Sequence, residues 1–158
     1  MSEGTDPVLY GAPANGVVRI TLNRPERKNA QDVAMLYALD DAFRRAAQDS
    51  DVRVIILDAA GDTFSSGHDL KGDSGKRPED FPLVGLWADF SAPGQEGMMA
   101  REWEIYLGLC ERWRALPKPT IAQVQGKCIA GGLMLAWVCD LIVAGESTQF
   151  QDPVLAFG

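Results

Sequence analysis

Apolar and polar positions along the 158-residue chain fall into two alternating rhythms. Short runs rich in β-branched residues, Val8–Tyr10 and Val17–Leu22, predict strands. Asn15-Gly16 between them is a hairpin turn signal. Over 30–47 the apolar positions Met35, Leu36, Leu39, Ala42, Phe43 and Ala46 recur at helical spacing, with Asp40, Asp41, Arg44 and Arg45 on the other side. Residues 52–59 predict a strand whose centre, Val54 to Leu57, is wholly apolar, as in a sheet covered on both faces. A second helical stripe runs through Met99, Trp103, Tyr106, Cys110 and Trp113 and predicts a helix over 98–116. Pro117 and Pro119 end it. Thr120–Val124 reads as a buried strand, 133–138 as a buried helix and Leu141–Ala144 as another strand. The alternation of strand and helix predicts an α/β fold in one domain over 1–158.

Two junctions interrupt these rhythms with glycine. The stretch 118–139 passes from strand through Gly126, Gly131 and Gly132 into helix. The first N–H groups of a helix lack partners in their own chain and can hold an oxyanion or carbonyl oxygen. A tight turn between core elements is the commoner use of such a pair. The other junction follows the buried strand and contains Ser65, Ser66, Gly67, His68 and Asp69. His68 is the one histidine in the chain. With no clustered Cys, His or carboxylate partners in the sequence, a metal site is not expected. Residues 72–97 combine Pro78, Pro82 and Pro93 with Phe81, Trp87 and Phe90. They predict a long flexible cover loop, with one short helix, over an apolar site.

Net charge is −7, which argues against a general nucleic-acid binder but leaves an anionic small ligand open. Cys110, Cys128 and Cys139 form no CxxC pair and read as reduced core thiols of a cytoplasmic protein. Neither a secretory signal nor a membrane-spanning run is visible in the sequence.

The pieces LNRPERKNA, DTFSSGHDLK, KPTIAQVQGKCIAGG and CDLIVAGESTQFQDPVLAFG together resemble the crotonase superfamily, the enoyl-CoA hydratase/isomerase family. The resemblance covers nearly the whole chain from Val17. It implies a spiral of β-β-α units, incomplete at the C-terminus, and a trimer or hexamer where the full domain is present. It implies an acyl-CoA thioester as partner and no separate cofactor, coenzyme A being part of the substrate. By resemblance, the backbone N–H groups of His68 and Gly131 form an oxyanion hole for the thioester carbonyl. Arg27, Lys28, Ala30 and Lys71 match positions near the CoA nucleotide, where a cation can meet phosphate. Ser66, Gly67, Asp69 and Leu70 match the binding loop, and Gly132 the second junction. Asp140 matches a structural aspartate.

Two departures set this chain apart. The hydratases carry one catalytic glutamate three positions after the oxyanion glycine, where this chain has Met134. Their second follows a proline, where this chain has Val154 after Pro153. Each general acid–base group is worth about 10²–10⁴-fold, so ordinary hydration is expected to be slow or absent. Asp152 is a candidate replacement base, although an aspartate hydrogen-bonded beside Pro153 is the commoner case. Three readings follow: an enoyl-CoA hydratase-like enzyme, a decarboxylase of the same superfamily, for which Gly67-His68-Asp69 is a similar motif, and a non-catalytic acyl-CoA-binding protein. Addition of water, loss of CO₂ and binding without turnover distinguish them.

Overall fold

A computed structural model describes residues 6–70, 75–85 and 90–153. β1 (Val8–Tyr10) and β2 (Val17–Leu22) form the expected antiparallel hairpin. Asn15 and Gly16 both take positive φ, 53° and 81°, and Ala14 and Val17 exchange two backbone hydrogen bonds of 2.9 Å. That is the geometry of a two-residue primed turn, for which Asn-Gly is suited.

Beyond the hairpin the chain climbs in a repeated pattern. Each turn gives one strand to a main sheet and one extended segment to a smaller layer, with helical segments closing the turns. β2 leads through Gln31 to α1 (Val33–Gln48), whose N-cap Asp32 accepts from the Met35 N–H at 2.9 Å. β3 (Val54–Ala59) leads through Ser65 and His68 to a helical run over 95–114. β4 (Thr120–Val124) leads through β5 (Lys127–Ile129) to α4 (Gly131–Trp137). β6 (Leu141–Ala144) is followed by β7 (Gln149–Gln151). The main sheet has the order β1-β2-β3-β4-β6, parallel after the hairpin. The smaller layer holds the parallel pair β5-β7 and the bridges Gln31 to His68 and Ser65 to Cys128. This is the α/β spiral of β-β-α units that the motifs implied.

The core lies between the main sheet and the helices. Val18, Ile20 and Leu22 on β2, with Ile55 and Leu57 on β3, are fully buried against Met35, Leu39 and Phe43 of α1 and Leu109 of the helical run. On its other face β2 carries Arg19 and Thr21, both bonded to Asp58.

Three boundaries differ from the sequence reading. α1 begins at Val33, after a loop in which Lys28 and Asn29 take positive φ. The second helix begins at Gln95 as α2 (Gln95–Glu102), passes through a π turn at Trp103–Leu107 and ends as α3 (Gly108–Arg114). In the π turn the Gly108 N–H reaches back to the Trp103 carbonyl, where a side chain on Gly108 would stand 2.8 Å from that oxygen. β5 lies within the glycine junction, where three residues between Gly126 and Ala130 carry no legible period.

Candidate active site

The two glycine junctions meet. A Cβ placed on Gly67 would lie 3.1 Å from the Gly131 nitrogen, and one on Gly131 would lie 3.4 Å from the Gly67 Cα. Gly67 has φ +91°, which disfavours any side chain, and Gly132 presses so closely on Ser65 that a Cβ would stand 2.6 Å from its carbonyl oxygen. Glycine at these positions is therefore what lets the junctions touch. Ala130 precedes them with φ 48° and ψ −115°, a conformation an alanine rarely adopts. Its N–H is held by the Gln151 carbonyl at 3.0 Å.

Amide bookkeeping isolates two donors. Ser66 N–H donates to the Lys28 carbonyl at 3.0 Å, Gly67 N–H to Ser65 Oγ at 3.2 Å and Asp69 N–H to the Gln31 carbonyl at 2.9 Å. Ile129 N–H donates to the Ser65 carbonyl at 3.0 Å. Among the described residues, neither the His68 N–H nor the Gly131 N–H donates to a protein acceptor. Gly131 is buried whereas His68 is exposed. Buried amides are almost always paired, so the free Gly131 N–H beside the open His68 N–H marks a place for an incoming acceptor.

The His68 ring stacks on Tyr106, with centroids 3.7 Å apart and planes 24° from parallel. The covered side of the ring is desolvated, which holds the imidazole pKa below its ordinary value. Burial pushes the Tyr106 phenol well above its usual range, with the Glu102 charge adding to the effect. Both groups are thus neutral near pH 7. Met134 is partly buried and lines an apolar cleft of about 300 Å³ with Cys110, Trp137 and Val138. Asp152 is exposed, just beyond β7. Lys71 and Val154 lie outside the described residues.

The basic loop is already engaged. Arg27 pairs with Asp69 at 3.0 Å, and Arg24 bridges Asp69 and Asp32 at 3.0 and 3.1 Å. Lys28 Nζ meets Asp62 at 2.9 Å and holds that carboxyl below its usual range. Ala30 is buried, and its carbonyl accepts from Arg24 at 2.6 Å. Leu70 is 91% exposed, next to the two junctions. Lys28, Ser66 and Lys127 line a polar cleft of about 550 Å³. Here phosphate would compete with Asp62 for Lys28 rather than find it free. Asp140 accepts from the Thr120 N–H at 2.8 Å and its hydroxyl at 3.0 Å, a bond pair that ties β4 to the start of β6 and lowers the Asp140 pKa.

Three residues at the site escaped sequence reading. Gln31 and Ser65 are buried and polar, and Tyr106 belongs to a stripe that reads as core. Nothing local gives them a role. Gln31 is brought to His68 by the bridge between their segments and Tyr106 by the ring stack, while Ser65 lies three positions before His68 with its hydroxyl turned inward. Among the described residues no group of His, Cys, Asp and Glu could hold a metal ion, and no helix is long and apolar enough to cross a membrane. Burial raises the thiols of Cys110, Cys128 and Cys139 to about 11, 12 and 12, so they rest protonated.

Comparison with known proteins bears on the family and the fold. The chain is 46% identical over 144 residues to "Putative enoyl-CoA hydratase EchA13" of Mycobacterium tuberculosis, a match covering 87% of this chain and 45% of that protein. It is 31% identical over 152 residues to the mitochondrial enoyl-CoA hydratase domain-containing protein 3 of Xenopus laevis, covering 96% and 46%. The crystal structure of a probable enoyl-CoA hydratase from Mycobacterium smegmatis superposes with a TM-score of 0.79 at 44% identity, covering 95% of this chain and 53% of that one. The chain thus spans about half the length of the relatives it matches. The sequence model of the enoyl-CoA hydratase/isomerase family matches residues 17–158, and the chain belongs to that family.

Proposed function

We propose that this chain binds an acyl-CoA thioester and polarises its carbonyl between the N–H groups of His68 and Gly131. The observation that carries the reading is the pair of adjacent amides without a protein acceptor, beside the paired amides of Ser66, Gly67 and Asp69. Charge develops on the thioester oxygen as an enolate forms. One fixed donor aimed at such an oxygen is worth about 2.7–4 kcal/mol of barrier. Coenzyme A enters as part of the substrate.

The fate of the enolate separates the remaining readings. By the family resemblance Met134 occupies the position where a hydratase has a carboxylate, and its side chain can neither give nor take a proton. That favours chemistry in which the enolate arises by loss of CO₂, or binding without turnover, over hydration. A panel of enoyl-, malonyl- and saturated acyl-CoA esters, incubated with the protein and read by mass spectrometry, tests this. The expected result is no product heavier by water. Loss of CO₂ from a malonyl-type ester identifies a decarboxylase. Unchanged esters that nonetheless raise the melting temperature identify a binding protein. Rapid hydration overturns the argument from Met134.

A further inference from the structure

Gln31 is a polar residue only 2% exposed, at the end of the loop that leads into α1. Its backbone brackets His68: its N–H donates to the Gly67 carbonyl at 2.8 Å and its carbonyl accepts from the Asp69 N–H. In a planar trans peptide the N–H points opposite to the C=O. Holding the Gly67 oxygen on one side therefore aims the His68 N–H to the other.

The side chain of Gln31 controls the peptide before it. Its Nε2 donates to Ser65 Oγ at 3.1 Å. The Ser65 hydroxyl, itself fully buried, donates to the Asn29 carbonyl at 2.8 Å and accepts from the Gly67 N–H at 3.2 Å. A hydroxyl offers one donor and two acceptor positions, so Ser65 is fully used. Its one proton goes to Asn29, so only the amino end of Gln31 can face it. That fixes the amide and turns Oε1 the other way, 3.5 Å from the Tyr106 hydroxyl that donates toward it. The same oxygen lies 3.1 Å from where a Cβ on Gly131 would be, beside His68 Nδ1 at 3.3 Å. Gly67 between the two peptides has no side chain to hold φ at +91° and could reach many other conformations. The restraint comes from Ser65 on one side and Gln31 on both.

We infer that Gln31 is a positioning residue for the oxyanion donor. Its side chain locks Ser65 Oγ, Ser65 locks the Gly67 amide, and the His68 N–H stays aimed at the thioester oxygen, with Tyr106 anchoring the far end of the chain of bonds. The role rests on the thioester reading above. It does not depend on which reaction follows.

The test is isotope-edited infrared spectroscopy of butyryl-CoA labelled with ¹³C at its carbonyl, with free coenzyme A as a second ligand that has no carbonyl to polarise. Bound to the unaltered chain, the labelled band is expected to move to lower wavenumber. In Gln31→Met and in Ser65→Ala most of that shift is lost, while coenzyme A binds as before; a role in stability alone would leave the band of the bound ester in place. Tyr106→Phe, which keeps the ring on His68, loses a smaller part. Should Gln31→Met not fold, Ser65→Ala and Tyr106→Phe carry the same test. If the unaltered chain shows the shift and the folded variants show it equally, the positioning role is wrong and the oxyanion hole stands. If the unaltered chain shows no shift, or does not take up the ester, the oxyanion reading falls and this inference falls with it.

Discussion

His68 contributes to the site in two ways that can be separated. Its N–H is one of the two free donors, and its ring is the lid of a stack on Tyr106. The ring is partly desolvated, so its pKa lies below the value of about 6.5 expected in an unfolded chain. Between those two values the unfolded chain holds a proton that the native chain does not. Native stability is therefore at its full value above about pH 6.5 and declines as the pH falls through the folded pKa. Because His68 is the one histidine, its ring protons give a single titrating set in a proton NMR spectrum. The titration midpoint is expected below 6.5, the unperturbed value. The part of the acid-side loss that begins just below that pH should disappear in His68→Gln, while the loss carried by carboxylates such as Asp62 and Asp140 at lower pH remains. A midpoint at or above the unperturbed value would show that the stack leaves the ring open to water. None of this was legible in the sequence, where a glycine before a lone histidine marks a backbone site but says nothing of an aromatic partner 38 positions later. Both glycine junctions were legible as special backbone positions: Gly67 takes φ +91°, and a Cβ on Gly131 would crowd Gln31 and His68 at 3.1 and 3.3 Å.

At the scale of elements, the helical run over 95–114 does more than its apolar stripe implies. The stripe through Trp103, Tyr106, Cys110 and Trp113 gave the helix its position, but not the π turn or the carboxylate inside it. Glu104 is fully buried and accepts from the Tyr37 hydroxyl at 2.7 Å and from the Val84 and Gly85 N–H groups at 2.7 and 2.6 Å. Phe81 stacks on Tyr37 with centroids 4.3 Å apart. One carboxylate thus fastens part of the loop to α1 and to the segment that carries Tyr106. A charged residue two places from Tyr106 reads in sequence as the wet side of a helix, and only tertiary pairing overrides that. Each buried donor left unpaired costs about 1–3 kcal/mol. Glu104→Ala is therefore expected to lower unfolding free energy by at least about 2 kcal/mol and to speed tryptic cleavage after Lys76. Glu104→Gln keeps one acceptor oxygen and should fall between the two. A urea midpoint and a digestion rate unchanged by Glu104→Ala would show that the three bonds do not hold the loop.

The whole molecule is unevenly covered. β3 and β4 bury one face, with Ile55, Leu57, Ala122 and Val124 in the core. Ile56 and Asp58 on the other face are partly open and Gln123 is exposed, so the continuous apolar run of β3 overstates its cover. The apolar run of β6 reads the same way in sequence, yet all four of its residues are exposed. Leu141 and Val143 are 61% and 58% open, and Trp137 at the end of α4 is 59% open. Among the described residues β6 is also the last strand of the main sheet, paired only to β4. Burial depends on what packs against a strand, so a hydrophobic pattern gives a strand's preference without supplying its cover. An exposed apolar edge is a template for pairing with another chain. The chain is accordingly expected to bind a hydrophobic dye in its native state and to associate increasingly with concentration in sedimentation velocity. Val143→Lys places a charge on that edge, away from His68 and Gly131, and should reduce both effects while leaving the infrared shift of bound thioester unchanged. A chain that stays monomeric and dark to the dye at every concentration would mean that β6 is shielded, and that its exposed apolar side chains do not drive association.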